Sequence, residues 1–359
     1  MKRRLCTLLG LIGLAVSNIV YSQQSVSTPV GFHTEVIKAN SFSLLGTNVS
    51  NHPAGDLARS ISQAFGPNNE AGLTAGLWDE ADNIWVPHNG GYKRLYYNDE
   101  DRAFPPITVG WRAFGHGDAD MSDFQLPQST GIFFQSRAEE DWYVTFGGYV
   151  RETKIQANVV PGINVLNRGF PADITLQQSG IDSSDGFTPG DSANGDIVWC
   201  FREDGSYDRY YYIRDISDNN PFKITNGWKK IGGGDDFAGT ELLSSAFIIE
   251  VRGAGGGIVL YPPALLQRLS FITTPASPPR PIVYPTFVID PDGSQYFLIY
   301  WYAYNANVNY HTEIYSPGNW WHLSTQTNMI NQPLTNFAPL SFGSGIARVV
   351  AEYKDQVKP

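Results

Sequence analysis

Hydrophobic positions fall mostly in short runs of four to eight residues, rich in Val, Ile, Phe, Tyr and Trp. Gly, Pro, Asn and Asp bound these runs, the pattern of antiparallel strands joined by turns. Gly131 to Ser136, Trp142 to Phe146, Ser206 to Ile213, Ala246 to Val251 and Gly257 to Tyr261 read this way. Helical spacing is scarce. Leu57, Ile61 and Phe65 recur every fourth residue across Gly55 to Phe65, enough for two or three turns, and Asp173 to Ser179 offers a single turn. The expected class is all-β.

An internal repeat orders these runs. Gly131-Ile132-Phe133-Phe134-Gln135 answers Ala246-Phe247-Ile248-Ile249-Glu250, and Tyr96-Tyr97 answers Tyr211-Tyr212. Gly110-Trp111 answers Gly227-Trp228, Leu77-Trp78-Asp79 with Trp85 lies where Ile197-Val198-Trp199 does, and Ser43 to Val49 matches Ile163 to Gly169 as an opening strand. Each unit reads as an opening strand, a loop with a possible helix, a Trp strand, a Tyr-rich strand, a Gly-Trp strand and a closing hairpin. Two tandem antiparallel β domains, 29–157 and 158–272, are expected as sandwiches or partly open barrels. Thr273 to Asp290 carries Pro275, Pro278, Pro279, Pro281 and Pro285 and predicts a semi-rigid linker. Alternation in Tyr296 to Trp301 and Val308 to Ile314 then predicts a small β-sandwich over 291–353.

The first residues read differently. Lys2, Arg3 and Arg4 precede an apolar run from Leu5 to Val20, and Val20-Tyr21-Ser22 offers small residues before Gln23. That is a secretory signal peptide over 1–22. No later apolar run is long enough to span a bilayer, so export to the extracellular space, cell surface or periplasm is expected, with no transmembrane segment after cleavage.

Charge narrows the partners. The chain has 25 Lys and Arg against 35 Asp and Glu, a formal charge of −10. Losing Lys2, Arg3 and Arg4 leaves 22 against 35, or −13. So acidic a protein, without a basic cluster, repels phosphate backbones, and nucleic acid is not an expected partner. Cleavage also removes Cys6 and leaves Cys200 alone, in the apolar run Ile197 to Phe201. A small buried hydrophobe is expected there, not a nucleophile.

Two sets of motifs resemble known families. Thr28-Pro29-Val30-Gly31-Phe32, Ser43-Leu44-Leu45-Gly46, Gly131-Ile132-Phe133-Phe134 and Val144-Thr145-Phe146-Gly147-Gly148, over about 30–270, resemble an uncharacterised family of exported β-rich proteins of Verrucomicrobia-type bacteria. That resemblance implies export and β architecture, and no activity. Phe297 to Trp301, Tyr310 to Tyr315, Trp320 to Leu323 and Arg348 to Val350 are similar to fibronectin type III-like modules.

Candidate chemistry is sparse. No Gly-x-Ser-x-Gly elbow occurs, and Gly253 to Gly257 lacks the Lys and helix of a phosphate loop. His116, Asp118 and Asp120 alternate and could place three ligands on one side for a hard cation such as Ca²⁺; no other cofactor is expected. Nine Trp, 19 Tyr and 20 Phe exceed what a core requires. Trp320, Trp321, Tyr211 and Tyr212 are the candidate contact residues, since consecutive rings in a strand face both ways. The expected function is a non-catalytic structural or binding protein that recognises glycan or cell-surface protein through aromatic patches. The alternative is a secreted carbohydrate-active enzyme or its accessory module, which would show two close carboxylates in a cleft.

Overall fold

A computed structural model describes residues 24–52, 58–103, 106–202, 204–214 and 225–263, and further on 281, 283–289, 295–302, 308–316, 319–326, 333–339 and 344–353. The expected signal peptide lies outside the described residues. The protein is all-β, built from antiparallel ladders. Among the described residues, no helix is long and apolar enough to cross a membrane.

Two five-stranded sheets have the same strand order. In the first, Phe42–Leu45, Ile132–Gln135, Asn83–His88, Gly91–Asn98 and Gly110–Ala113 lie side by side. In the second, Gly162–Asn167, Ala246–Val251, Ile197–Phe201, Tyr207–Ile213 and Gly227–Lys230 follow the same sequence. Registers match as well. Trp85 pairs with Arg94 as Trp199 pairs with Arg209, and Tyr97 with Trp111 as Tyr212 with Trp228. The glycine before each Trp, Gly110 at φ +127° and Gly227 at φ +121°, takes a backbone conformation that a side chain would strain.

Each sheet buries one face beneath an antiparallel strand pair in a sandwich-like layering. Val30–Ile37 pairs with Trp142–Tyr149 and gives Ile37, Val144 and Phe146 to the first core, around Phe65, Trp111 and Phe134. Ile155–Val159 pairs with Gly256–Leu260 and gives Ile155, Val159, Ile258 and Leu260 to the second, around Phe170, Trp228 and Phe247. A short helix adds to each core, Ile61 and Phe65 to the first and Leu176 to the second. Ile61–Phe65 and Leu176–Ser179 each begin with a capping box, Ser60 with Gln63 and Thr175 with Gln178, which satisfies orphan amides at the first turn.

The sheets meet at Gly46 and Gly131, and no side chain would fit at either. A Cβ on Gly131 would lie 2.8 Å from the Ala246 Cβ, and one on Gly46 would run into the Ser245 carbonyl. Leu44, Val165, Ala246 and Ile248 pack there with Phe133, Trp199 and Phe201. Asn167 seals the edge, its backbone N–H donating to Ser129 O at 3.0 Å.

Strand pairing crosses the expected boundaries. Val30–Ile37 also pairs with Ser344–Tyr353, which pairs in turn with Gln24–Val26 and Val308–Ser316. Asn319–Gln326 completes that sheet. Val30 and Phe32 share a core with Val283, Ile299, Trp301 and Val349, so the C-terminal strands bury apolar surface on the start of the chain. The expected linker, 273–290, is corrected over its last part: Val283–Ile289 is a strand paired with Gln295–Tyr302. It is an edge strand, where Pro285 is tolerated because one side of the backbone makes no ladder bond.

Candidate cleft between the amino-terminal strand and the second sheet

A cleft of about 660 Å³ opens where Val30–Ile37 and the following turn face the second sheet. Four separate stretches line it: His33 to Leu44, Arg168 with Asp173, Cys200 to Tyr210, and Glu241 to Ser245.

Its floor is a fixed polar network. His33 and Glu35 are two apart on one strand and so share a face. His33 Nε2 and Glu35 Oε1 are 2.7 Å apart. Burial pushes the Glu35 carboxyl up, but His33, Ser245 and Arg168 outweigh it and hold the group below its ordinary range. Arg168 is almost wholly buried. Its Nε donates to Phe170 O at 3.0 Å, and Nη1 to Leu243 O at 2.9 Å and to Asp173 Oδ1 at 3.3 Å. Its Nη2, equally buried, has no hydrogen-bond partner. Burial lowers the Arg168 pKa against the pull of Asp173 and Glu35, yet a guanidinium stays charged.

The wall is set by the hairpin of Ile197–Phe201 and Tyr207–Ile213. Arg202 Nε donates to Asp208 Oδ2 at 2.6 Å, Lys230 Nζ lies 2.7 Å from Asp208 Oδ1, and Tyr210 Oη donates to Asp208 at 3.4 Å. Burial raises the Asp208 carboxyl, but Lys230 and Arg202 bring it below its usual value. The Tyr210 hydroxyl is pushed well up by burial and by Asp208. Cys200 is buried, as the sequence predicts, and burial pushes its thiol up to about 12, so it is inert as a nucleophile. Over this polar interior stand two exposed apolar side chains, Phe42 at 57% and Leu242 at 55%, with Phe201 half-buried beside them.

The residues picked from sequence lie elsewhere. Tyr211 is half-buried, and Tyr212 packs on the second core 5.4 Å from the Trp228 ring. Trp320 and Trp321 lie in the strand Asn319–Gln326, paired with Tyr315 and Ile314; their side chains fall outside the described residues. Asp118 and Asp120 do come together, but around Arg112, at 3.0 and 3.8 Å. His116 Nε2 instead meets Lys93 Nζ at 3.0 Å. A guanidinium thus stands where the two carboxylates would draw a metal ion, and among the described residues no three His, Cys, Asp or Glu side chains cluster as ligands.

Several other exposed rings, Trp78, Phe114 and Tyr207 among them, are ones the sequence did not pick as contact residues. Trp78 and Phe114 meet edge to face at 4.8 Å, and Arg94 lies 4.7 Å from Trp78, 5.1 Å from Trp85 and 5.5 Å from Phe114. Tyr207 stacks on Trp199 at 4.9 Å with Arg209 beside it. These rings already hold a cation or another ring. Alternation gives which strand face a ring occupies, but only tertiary structure shows whether a guanidinium covers it.

No protein-family model matches the chain, and neither a curated protein nor a solved structure is significantly similar to it.

Proposed function

We propose that this is an exported, non-catalytic binding protein that holds a glycan in the cleft beneath Phe42 and Leu242. The observation that carries the reading is the combination of a fixed hydrogen-bonding interior with an apolar rim. Sugars present hydroxyls on their edges and apolar C–H faces, and a site for them needs both kinds of surface. The polar side chains are pinned by one another before any ligand arrives, so little ordering entropy is lost on binding. Export is supported by the leader pattern in 1–22.

Carboxylates in one cleft also suit a glycoside hydrolase, and that is the second reading. It requires a carboxyl held up as a general acid. The cleft carboxyls whose titration is displaced, Glu35, Asp204 and Asp208, are all displaced downward, which supports binding without chemistry. The test is a panel of soluble polysaccharides with the full chain, read for binding and for released reducing ends. Binding that Phe42→Ala weakens at least tenfold, with no reducing ends, is expected. Reducing-end release that Asp208→Asn abolishes would replace this reading with the hydrolase.

A further inference from the structure

In the first repeat the strand Val30–Ile37 is paired on both sides, with Trp142–Tyr149 and with Ser344–Tyr353. Its counterpart in the second repeat, Ile155–Val159, is paired on one side only among the described residues, with Gly256–Leu260. The far edge of Gly256–Leu260 is closed by the loop at 179–186. Gly186 N–H donates to Gly257 O at 2.9 Å, Val259 N–H to Ser184 Oγ at 2.9 Å and Tyr261 N–H to Ser179 O at 3.0 Å. Successive residues of an antiparallel strand turn their N–H and C=O groups to alternate sides, so Ile258 and Leu260 turn theirs toward Ala157 and Ile155. Gln156 and Asn158 therefore aim their backbone groups outward, and among the described residues nothing bonds them. Asn164 ends this open stretch: its side chain accepts from Val160 N–H at 3.0 Å and donates to Val160 O at 2.7 Å.

Edges left open are commonly blunted by a charge, a proline or a bulge. Ile155-Gln156-Ala157-Asn158-Val159 has none of these, and its pattern reads alike in both directions: branched aliphatic, amide, Ala, amide, branched aliphatic. Two antiparallel copies centred on Ala157 would set Gln156 of each against Asn158 of the other. Both residues point outward, so each such pair exchanges two backbone hydrogen bonds. The buried Ile155, Ala157 and Val159 would carry the apolar layer from one copy into the next, while the exposed amide side chains meet on the outer face. Charge favours the same place. At −10 the chain repels its own kind, yet no acid occurs from Thr153 to Ala172 and no charge from Gly253 to Pro263. Val160, 64% exposed, would lie across from Lys154 of the second copy, whose aliphatic stem can cover it. We propose that Ile155–Val159 is a self-association edge, through which two copies of this chain join as a two-fold antiparallel strand pair.

The experiment is sedimentation equilibrium of the full chain over a range of concentrations. So short an interface should give a reversible dimer with a dissociation constant on the order of 10 µM. Gln156→Lys with Asn158→Lys sets like charges against each other in both cross-copy pairs, and should weaken the dimer by about tenfold or more. Gln156→Lys with Asn158→Glu makes the same pairs opposite in charge, and should restore it. Both positions are exposed, so the fold should tolerate either pair of changes. Asn158→Pro removes an outward N–H without touching the bonds to Gly256–Leu260, and should also weaken the dimer with little change in melting temperature. A chain still monomeric at about ten times the expected constant would overturn the proposal and leave the edge to a strand of another protein. A dimer that the two lysines leave unchanged would overturn it as well, because the copies would then meet elsewhere.

Discussion

The ammonium of Lys229, wholly buried, lies 2.7 Å from Asp235 Oδ1, and the Thr225 N–H donates to the same oxygen at 3.0 Å. The first sheet repeats the device with other residues. Arg112 Nε lies 3.0 Å from Asp118 Oδ1, which accepts from Thr108 N–H at 2.6 Å. In both sheets a cation follows the buried Trp, and a loop carboxylate six residues on compensates it, which ties the loop to the sheet.

The two devices should differ in strength. Arg112 has a second carboxylate nearby, Asp120 at 3.8 Å, whereas among the described residues Lys229 is paired with Asp235 alone. A buried cation that loses its counter-charge is strongly unfavourable. Asp235→Asn should therefore lower the melting temperature more than Asp118→Asn. Equal losses in thermal melts would show that Asp120 does not substitute.

These pairs also set a pH dependence. Lys229 and Thr225 hold the Asp235 carboxyl below its ordinary range, and the Thr108 N–H and Arg112 do the same for Asp118. A carboxyl whose folded pKa is depressed adds stability that is present above its unfolded pKa, about 3.9, and is lost as pH falls through the folded value. Melting temperature should thus drop on acidification below about pH 4. The drop should be smaller in Asp235→Asn, and identical slopes in the two proteins would rule the pair out as its source.

Trp111 and Trp228 hold the same place but not the same hydrogen bond. The Trp111 indole donates to Gly66 O at 2.8 Å, while the buried Trp228 Nε1 has no partner. Replacing each by Phe removes similar area but only one made bond. Trp111→Phe should cost about 1 kcal/mol more than Trp228→Phe in denaturant unfolding. A larger cost at Trp228 would mean that its ring packing dominates.

How much of this was legible in the chain depends on the distance over which each feature is made. Gly110-Trp111 and Gly227-Trp228 announce themselves locally, because a glycine with positive φ and a core ring are both written in two residues. Strand order follows from the spacing of such pairs. The cleft is different: Glu35, Arg168, Asp208 and Glu241 come from stretches that only tertiary packing brings together, and nothing in the local pattern of any one marks it. Alternation in His116, Asp118 and Asp120 suggests carboxylates on one side, but the sequence does not show that Arg112 lies between the two. Proline density misled over 283–289. It reports missing N–H groups, which an edge strand tolerates as well as a linker does.

Two buried carboxylates clamp loops to the sheets. Asp82 accepts from the N–H groups of Thr74 and Arg137, and Asp196 from those of Thr188 and Arg252. Both oxygens of each are used, so an amide would turn one acceptor into a donor facing a backbone N–H. Asp82→Asn and Asp196→Asn should each destabilise by about 1–3 kcal/mol. Denaturant midpoints unchanged in both would show that the loops hold without the clamp.

Cys200 provides a direct report on the cleft wall. Its burial and raised thiol pKa leave almost no thiolate at pH 8, so a thiol reagent should react with the native protein only as fast as the protein opens. Rapid labelling under native conditions would mean that the wall beside Tyr210 breathes. Slow labelling that speeds up in denaturant is the expected result.

The strand Ser344–Tyr353 determines whether the C-terminal part is an independent module. It pairs with Gln24–Val26 on one stretch and with Val30–Ile37 on another, and Ser27 fixes the junction: its N–H donates to Val349 O at 2.8 Å, and its Oγ accepts from Val349 N–H at 2.9 Å. The shared apolar cluster of Val30, Phe32, Tyr149, Val283, Trp301 and Val349 lies across the same junction, and the Tyr149 hydroxyl donates to Val283 O at 2.8 Å. An interface made of continuous sheet and a common core behaves as one folding unit, unlike the modest, polar contacts between separate domains. A protease site placed within 273–280 should therefore cut the chain without parting it. After cleavage the two fragments should co-elute in gel filtration and melt as one transition, and Val30→Asp, which puts a charge into the shared core, should release the C-terminal fragment. Fragments that separate without that substitution would show that the module stands on its own sheets, with the pairing to Val30–Ile37 contributing little.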